Sequence, residues 1–401
     1  MSLPSSLQVG PEHISLSPDY EKATSRVLSL YTGLQLNGST EVLSTVEESG
    51  GAGLSKTLGL AGFSNLDVVR NPTLSQAPYL GRIIFHKVIA LSDNKVEANR
   101  GPTSIFTELP ERRLEIRVGK FGTVDFFDQN SVGSDSHLQF MNWSTAQNGA
   151  YDYAADTRGY TWGMIAEYQA KGYAFRVGEM LMPKVANGID EVWNLRKAHA
   201  ENFEFELRRA LLPKEDGTIR FLGFVNHANM GIYRDAVAEF LSGQTPTPDI
   251  TAHLWKTTAK YGIGVNLEQA LTRNMKAFAR WGWNDGKTES FAYTEIDSTL
   301  AVGLGADGHQ WHRNKDRAGV AFVSNAISKD HQNYLARGGV GFIIGDGALN
   351  YGREQILESY YTAHLWRGMY AGPDLQYVTN PAYNQDRGPV VILGFRVHLE
   401  L

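Results

Sequence analysis

Cysteine is absent from the 401 residues, so the chain has no disulfide framework and no thiol or thiolate-metal chemistry. Long apolar runs are absent too. No stretch approaches the run of about 18 apolar residues that a membrane helix requires, and the mean hydropathy is -0.30. Excess positive charge is also lacking, since the formal net charge is -5. These absences argue against a helical membrane protein and against a nucleic-acid-binding protein.

Aromatic residues and glycine are plentiful, with 18 Tyr, 18 Phe, 8 Trp and 41 Gly. This composition suits many strands, tight turns and aromatic girdles. The last segment, 390–401, shows the strand pattern most clearly, because successive side chains of a strand point to opposite faces. One face carries Val391, Leu393, Phe395, Val397, Leu399 and Leu401, and the other carries Ile392, Gly394, Arg396, His398 and Glu400. The length and one-sided charge are typical of a transmembrane β-strand.

The same alternation recurs along nearly the whole chain. It predicts strands at 23–36, 40–46, 79–91, 112–120, 159–170, 172–183, 202–211, 218–226, 259–268, 274–284, 288–304, 318–326, 355–365, 368–378 and 390–401. Because bacterial single-chain barrels take even strand counts, we predict sixteen strands, one of them N-terminal or within a loop. Helical spacing at 230–241 and at 327–337 predicts two short helices in loops.

Two all-β architectures fit this alternation, a soluble sandwich and a membrane barrel. The large strand number favours the barrel, as do aromatic residues near strand ends. These are Tyr160, Trp162, Tyr168, Trp281, Trp283, Tyr360, Tyr361, Trp366, Tyr370 and Tyr377. No linker or composition step divides the chain. We therefore expect residues 1–401 to form one transmembrane antiparallel β-barrel domain, with 1–20 as a flexible or periplasmic N-terminal segment.

Several segments, in order and spacing, carry a family resemblance. They are Gly51-Ala-Gly-Leu-Ser-Lys-Thr-Leu-Gly-Leu-Ala-Gly-Phe63, Arg117-Val-Gly-Lys-Phe-Gly-Thr-Val-Asp-Phe-Phe-Asp-Gln-Asn130, Gln139-Phe-Met-Asn-Trp143, Asn226-His-Ala-Asn-Met-Gly231, Gly345-Asp-Gly347, Glu354, Glu358-Ser-Tyr-Tyr361, Pro373-Asp-Leu-Gln-Tyr377, Asn380-Pro381 and the closing strand. Together they span roughly residues 50 to 401, and this stretch resembles the carbohydrate-selective porin (OprB) family of Gram-negative outer membranes.

The resemblance implies a barrel that passes mono- or oligosaccharides by passive diffusion through a constricted pore in the outer membrane. It implies outer-membrane lipids as neighbours, no catalysis and no cofactor, and it leaves monomer and homotrimer open. Two features depart from the family. The start Met1-Ser-Leu-Pro-Ser-Ser has no signal peptide, which we interpret as trimming, and Leu401 stands where such strands usually finish on an aromatic residue.

A sugar pore needs lumen groups of both signs that offer donors and acceptors to hydroxyls and bind them weakly. The strand faces place four arginines and eight acids in the lumen, so strong anion selectivity is not expected. The lumen positions are Arg113, Glu115, Arg117, Glu204, Glu206, Arg208, Glu295, Asp297, Glu354, Glu358, Arg396 and Glu400. All but Glu204, Glu295, Asp297 and Glu400 are the wall residues that we predict to line the pore or bind substrate.

The connection 121–158 is too long and too polar for a hairpin turn, and we predict that it folds inward as the constriction loop. It supplies the remaining candidate pore residues, Asp125, Phe127, Asp128, Asn130 and Trp143. The hypothesis is that its acids face Arg113, Arg117 or Arg208, while Phe126, Phe127 or Trp143 offers an aromatic face to a sugar ring.

A metal site and a catalytic site are less well supported by the sequence. His309 and His312 are three residues apart but lack further ligands, so no metal site is predicted. Glu204 and Glu206 could suggest a glycosidase pair, but on one strand they are more simply lumen charges. Two alternatives to the porin stay open: a barrel that exports or binds a polysaccharide, and a soluble all-β carbohydrate-binding or hydrolytic protein. The soluble alternative would stay in aqueous buffer without detergent.

Overall fold

The computed structural model describes residues 14–67, 74–209, 211–212, 216–252, 255–291 and 295–401. These form an all-β fold with three short α-helices. The strands are β1 Ser25–Asn37, β2 Thr40–Gly51, β3 Tyr79–Ala90, β4 Lys95–Glu97, β5 Glu108–Pro110, β6 Arg113–Phe121, β7 Thr161–Gln169, β8 Tyr173–Met180, β9 His199–Arg208, β10 Gly217–Ala228, β11 Thr258–Thr272, β12 Met275–Asn284, β13 Ser298–Gly308, β14 Arg313–Ala326, β15 Glu354–Trp366, β16 Met369–Thr379 and β17 Val390–Leu399. The helices are α1 Trp143–Ala146, α2 Tyr233–Leu241 and α3 Lys329–Ala336.

Fifteen of the strands form one antiparallel sheet in chain order, from β1 at one edge to β17 at the other. β4 and β5 pair separately as a small hairpin. All fifteen predicted strand segments correspond to strands of the large sheet. The sixteenth strand is not found among the described residues, and part of its predicted N-terminal place, residues 1–13, lies outside them.

The two faces of the sheet differ as the alternation predicts. On β17, Leu393 is 80% exposed, whereas its neighbour Ile392 is 8% exposed and packs inside. On β9, Phe203 and Phe205 are exposed, and Glu204 and Glu206 between and beside them are buried. The apolar face therefore points outward and the charged face points into the lumen. Within the described chain, no helix is long and apolar enough to cross a membrane.

The two ends of the sheet carry different connections. Two-residue turns at 38–39, 273–274 and 367–368 lie at one end, which we call the turn end. The connections 122–160, 229–257 and 327–353 lie at the other, the loop end. Both predicted loop helices are found there, as α2 and α3. In outer-membrane barrels the short turns face the periplasm and the long loops face outward.

One predicted strand is too long. The segment 288–304 was expected to be a strand throughout, with Glu295 and Asp297 on its lumen face, but β13 begins only at Ser298. Glu295 instead accepts hydrogen bonds from the backbone N–H groups of Ile343 and Ile344, each at 2.9 Å. The Glu295 carboxylate thus holds the loop that contains Ile343 and Ile344, and does not stand on the lumen face of a strand. The β4–β5 hairpin was not predicted, because three-residue strands are too short to show a period.

The connection 122–160, here called the inner loop, fills the middle of the lumen. It contacts lumen faces all around the sheet, from Arg82 on β3 to Arg396 on β17. Its only α-helix, α1, is capped by Asn142, whose side chain accepts a hydrogen bond from the N–H of Ser144. Contacts between one loop and strands from both edges require that the sheet curls around it. The fold is therefore a barrel with an inward-folded loop.

Candidate functional site

A continuous chain of ion pairs runs around part of the lumen wall, across six neighbouring strands. We call it the charge ladder. Its members are Arg113, Glu115, Arg117, Glu167, Arg176, Glu204, Glu206, Arg208, Arg220 and Glu268. Each belongs to one of the strands β6 to β11 and lies on the lumen face, because strand period two places alternate residues inside. Antiparallel register then sets Arg176 opposite both Glu167 and Glu204, and Arg220 opposite Glu206.

Arg176 is the centre of the ladder. Its Nε lies 2.7 Å from a carboxylate oxygen of Glu167, and its Nη2 lies 3.2 Å from Glu206. The same guanidinium also contacts Glu204. Arg220 then continues the ladder, with Nε 2.9 Å from Glu206. The guanidinium group is planar and donates several hydrogen bonds at once. Binding to several carboxylates therefore fixes the orientation of the arginine and of its glutamate partners.

The arginines and glutamates of the charge ladder balance, five against five, and His86 links Glu115 at its end to one further acid, Glu41. The carboxylates are almost all buried, as in Glu115 at 2% and Glu204 at 1% exposure. Burial of an unpaired carboxylate would be costly, so the arginines are needed for the acids to stand there. The wall thus offers many polar groups without a strong net field.

A cavity of about 410 Å³ opens where the charge ladder meets the turn end. Arg113 and Arg208 line it together with Glu111, Gln169 and Lys171. Two of the predicted pore residues, Arg113 and Arg208, therefore border open space. The Arg208 side chain is 36% exposed, and its Nε, Nη1 and Nη2 donate to Glu206, Ala170 and Gln169.

Two predicted pore residues hold the inner loop. Glu358 Oε1 accepts hydrogen bonds from the N–H groups of Met141, at 2.6 Å, and Asn142, at 2.8 Å. Arg396, two strands away, donates to the carbonyl oxygens of Ser136 and Gln139. Both side chains come from strands near the sheet's C-terminal edge. They fix the loop's path across the lumen.

Glu354 and Asn130 also have anchoring contacts. The carboxylate of Glu354 accepts hydrogen bonds from the N–H groups of Ala61, Gly62 and Ala382, at 2.7 to 3.0 Å. It therefore ties the glycine-rich segment after β2 to the barrel wall. Asn130 Oδ1 accepts hydrogen bonds from two N–H groups within the inner loop itself, which closes a tight turn.

The inner-loop acids do not face the arginines that the sequence suggested. Asp125 binds Arg82 through two hydrogen bonds of 2.8 and 2.7 Å, and Asp128 lies 2.9 Å from the Nε of Arg280. Arg113, Arg117 and Arg208 instead bind wall glutamates. Glu115 and Glu206 stand two residues from these arginines on the same strand, so they reach them before any loop acid can.

The expected aromatic face is also not presented to the lumen. Phe127 is 0% and Trp143 1% exposed, and Phe126 is buried as well. The Trp143 ring stacks on Tyr153, with centroids 6.2 Å apart, and packs near Phe63. A loop that crosses a barrel interior needs its own apolar core, and these rings supply it.

Several arginines that form ion pairs in the lumen, and their partners, are not among the residues predicted from the sequence. Arg176, Arg220 and Glu167 complete the charge ladder, yet none was selected. Each stands at an inward position of a predicted strand. The alternation of apolar and polar residues therefore already indicated that these side chains point into the lumen. Arg82 and Arg280, which bind the loop acids, were equally visible as charges on strand faces. What the sequence did not show was which of many inward charges meet.

Three segments at the loop end pack together in a buried cluster: α2, α3 and the connection before β13. We call this cluster the lid. The Tyr233 ring of α2 stacks on the His331 ring of α3, with centroids 4.3 Å apart. Glu289, in the connection before β13, accepts a hydrogen bond from the N–H of Gly231 at 3.0 Å. Burial raises the pKa of Glu289 from 4.5 to about 8, and nearby Lys260 only partly opposes this.

We expect the lid to loosen as the pH rises. The folded pKa of Glu289 lies above its unfolded value, so stabilisation is fully present below pH 4.5 and is lost as the pH approaches about 8. The loss should be a few kcal/mol, about 1.4 for each pKa unit. Amide hydrogen exchange in α2 measures it at pH 5 and pH 8.5. Equal pH dependence in the wild type and in Glu289→Gln would contradict the assignment.

The fold and the site together define a class: a β-barrel channel with a loop-filled, charge-lined lumen. A scan against family models matches residues 16–401 to the carbohydrate-selective porin, OprB family. The chain belongs to that family, and it is an outer-membrane porin for carbohydrates. The predicted family and location are thereby confirmed.

The fold is shared with a solved structure. The high-pH structure of Pseudomonas putida OprB has a TM-score of 0.73 at 17% identity, covering 96% of this chain and 90% of that one. The low-pH structure of the same protein gives a TM-score of 0.49 at 14% identity, covering 93% and 84%. The outer membrane channel DcaP of Acinetobacter baumannii gives 0.44 at 10% identity, covering 92% and 82%. A comparison with curated proteins finds no significant match.

Proposed function

We propose that neutral carbohydrates diffuse passively along the charge ladder and past the inner loop, which narrows the lumen. The neutrality of the charge ladder carries this proposal. Five arginines and five glutamates present donors and acceptors along one wall, while their fields largely cancel. An uncharged polyol can exchange hydrogen bonds with the exposed part of this wall, such as Arg208, whereas an ion gains little from it.

The proposed route begins or ends in the cavity at the turn end. Arg113, Gln169 and Arg208 offer hydrogen-bonding groups there to sugar hydroxyls. Each of the two arginines already binds a glutamate, so a sugar competes with existing partners and is held weakly. Weak binding at successive positions is what permits release, and therefore transport.

The inner loop acts as the constriction in this proposal. Glu358 and Arg396 hold it from the strands, and Asp125 and Asp128 hold it through their own arginines. Because the inner loop is fixed at so many points, the width of the pore beside it stays constant. Residues 1–401 then work as one domain, with the outward apolar face in contact with outer-membrane lipids.

The pore is proposed to perform no covalent chemistry. A glycosidase requires one carboxyl group that gives up a proton and one that is free to act as base or nucleophile. Glu204 and Glu206 both bind Arg176, and Glu206 also binds Arg208 and Arg220. Carboxylates bound by arginines in this way can line the pore wall, but they are not free to act as a catalytic pair.

Arg117→Ala is expected to change both conductance and sugar block. Arg117 joins Glu115 to Glu167, at 3.1 Å from the latter, so its loss leaves the charge ladder with a net negative charge. We expect a higher preference for cations and altered block by sugars, because the wall then holds unpaired acids. Single-channel recording in a planar bilayer, with mono- and oligosaccharides titrated in, measures both. If conductance and sugar block were both unchanged, the assignment of Arg117 to the pore lining would be wrong.

A further inference from the structure

Two histidines and a glutamate cluster on the outer face of the barrel, away from the lumen. His199 and Glu201 belong to β9 and His227 belongs to β10. Their metal-binding atoms all lie within 4.8 Å of one another. Exposed Phe203 and Phe205 share this face of β9, so the cluster points outward.

Strand register brings the three side chains together. His199 stands directly opposite His227 in the β9–β10 pair, and Glu201 follows His199 by two residues on the same face. The two imidazole rings are stacked, with centroids 4.6 Å apart and an interplanar angle of 25°. Backbone hydrogen bonding of two central strands therefore fixes the geometry of the cluster.

The spacing of the polar atoms matches a metal coordination shell. A Glu201 carboxylate oxygen lies 3.3 Å from His199 Nε2, and the other lies 3.6 Å from His227 Nε2. Nitrogen and oxygen ligands at about 2.0–2.2 Å from a tetrahedral Zn²⁺ stand about 3.3–3.6 Å from one another. All the ligand atoms lie within 4.8 Å of one another, so rotation of the stacked imidazole rings would bring them onto one ion without movement of the strands.

A second carboxylate stands beside the cluster. Glu179 on β8 is directly opposite Glu201 and is exposed on the same outer face. Like charges directly opposite each other destabilise a sheet. Within the described ranges, no lysine or arginine forms an ion pair with either glutamate. His199 Nδ1 and one Glu201 oxygen are also buried without a hydrogen-bond partner. A bound cation would relieve the repulsion.

The cluster lies at the loop end of the barrel, where strands leave the lipid face. His227 is the penultimate residue of β10, and the neighbouring strand carries Tyr261 opposite Val225. Trp283 continues the aromatic row on the next strand. Such rows mark the membrane–water interface, so ions in the external medium can reach the cluster.

We propose that His199, Glu201 and His227 form a binding site for a divalent transition-metal ion, with Zn²⁺ the best match, and that Glu179 supports it as a neighbouring carboxylate. Two imidazoles and a carboxylate suit Zn²⁺, whereas Ca²⁺ and Mg²⁺ prefer all-oxygen sites. A fourth position stays open to water. The ion clamps β9 to β10 where the connections 181–198 and 229–257 leave the barrel.

The test uses the untagged full chain in detergent, because an affinity tag of histidines would itself bind Zn²⁺. Isothermal titration should give about one Zn²⁺ per chain, with far weaker heats for Ca²⁺ and Mg²⁺. His227→Gln should lose this binding, and Glu179→Gln should weaken it. A double variant, His137→Gln with His398→Gln, is the matched control, because those rings also lie close, 5.5 Å apart. It should bind Zn²⁺ as the wild type does.

A second measurement separates binding from folding. Each variant is first shown to be a folded barrel by its strand-type circular dichroism. Zn²⁺ should then raise the unfolding temperature of the wild type and the control but not that of His227→Gln. The proposal is overturned if the wild type binds no Zn²⁺ stoichiometrically, or if His227→Gln binds it unchanged.

Discussion

Replacing Arg176 by glutamine is expected to destabilise the barrel by about 3–5 kcal/mol, the usual cost of removing one partner from a buried ion pair. Arg176 is the shared partner of Glu167, Glu204 and Glu206, and its side chain is 10% exposed. Without it, three acids crowd together in a site with little access to water. Urea unfolding of the protein in detergent micelles, followed by circular dichroism, measures the change.

The same substitution should make the pore prefer cations, since it removes one positive charge from a balanced wall. Reversal potentials across a salt gradient report this preference. Arg176→Lys is the informative partial rescue, because lysine restores the charge but not the planar fork that binds several carboxylates. It should recover most of the ion selectivity and only part of the stability.

Arg26→Gln provides the matched control for the loss of an ion pair. Arg26 Nη2 lies 2.7 Å from Glu48, but its side chain is 57% exposed. Exposed pairs contribute about 0–1 kcal/mol, because water screens them. If Arg176→Gln lowered the unfolding free energy no more than Arg26→Gln does, the charge ladder would not have the structural importance assigned to it.

Replacing Glu358 by alanine is expected to widen the pore. The substitution removes the acceptor of two inner-loop N–H groups, those of Met141 and Asn142. Each buried N–H left without a partner costs about 1–3 kcal/mol, so the loop should leave its present path. Conductance should rise and larger oligosaccharides should pass. Single-channel recording and liposome swelling with sugars of increasing size measure the two effects.

Glu358→Gln is the control for this experiment, because its side-chain carbonyl can still accept the two hydrogen bonds at Oε1. It should stay close to the wild type in conductance and in size limit. A Glu358→Ala variant with wild-type values for both would show that Glu358 does not hold the constriction. Stability of both variants is checked first, so that a wider pore is not confused with an unfolded barrel.

The two-residue alternation of side chains along a strand made much of this protein's fold predictable from the sequence alone. Alternation along each segment identified all fifteen strands of the large sheet and the lumen side of Glu115, Arg117 and Glu206, all of them buried in the structure. It also located the inner loop, since a long polar connection between two regular strands has few other places to go. The sixteenth strand was added from a rule about even counts, and the described residues do not contain it.

Which charges meet was decided only by the tertiary structure. Asp125 and Asp128 were expected at Arg113, Arg117 or Arg208 but bind Arg82 and Arg280. Any acid in the lumen could have bound any of several arginines, and local sequence carries no information about that choice. The path of the inner loop and the register of the strands fixed it.

The same limit applies to the buried rings and to the outer cluster. Phe127 and Trp143 were visible as aromatic residues, but whether they face a sugar or a loop core depends on how the loop folds. His199 and His227 are separated by 28 positions and meet only because β9 and β10 pair in one register. A strand's period says which face a side chain takes. Only the pairing of strands, set by the whole barrel, says what stands beside it.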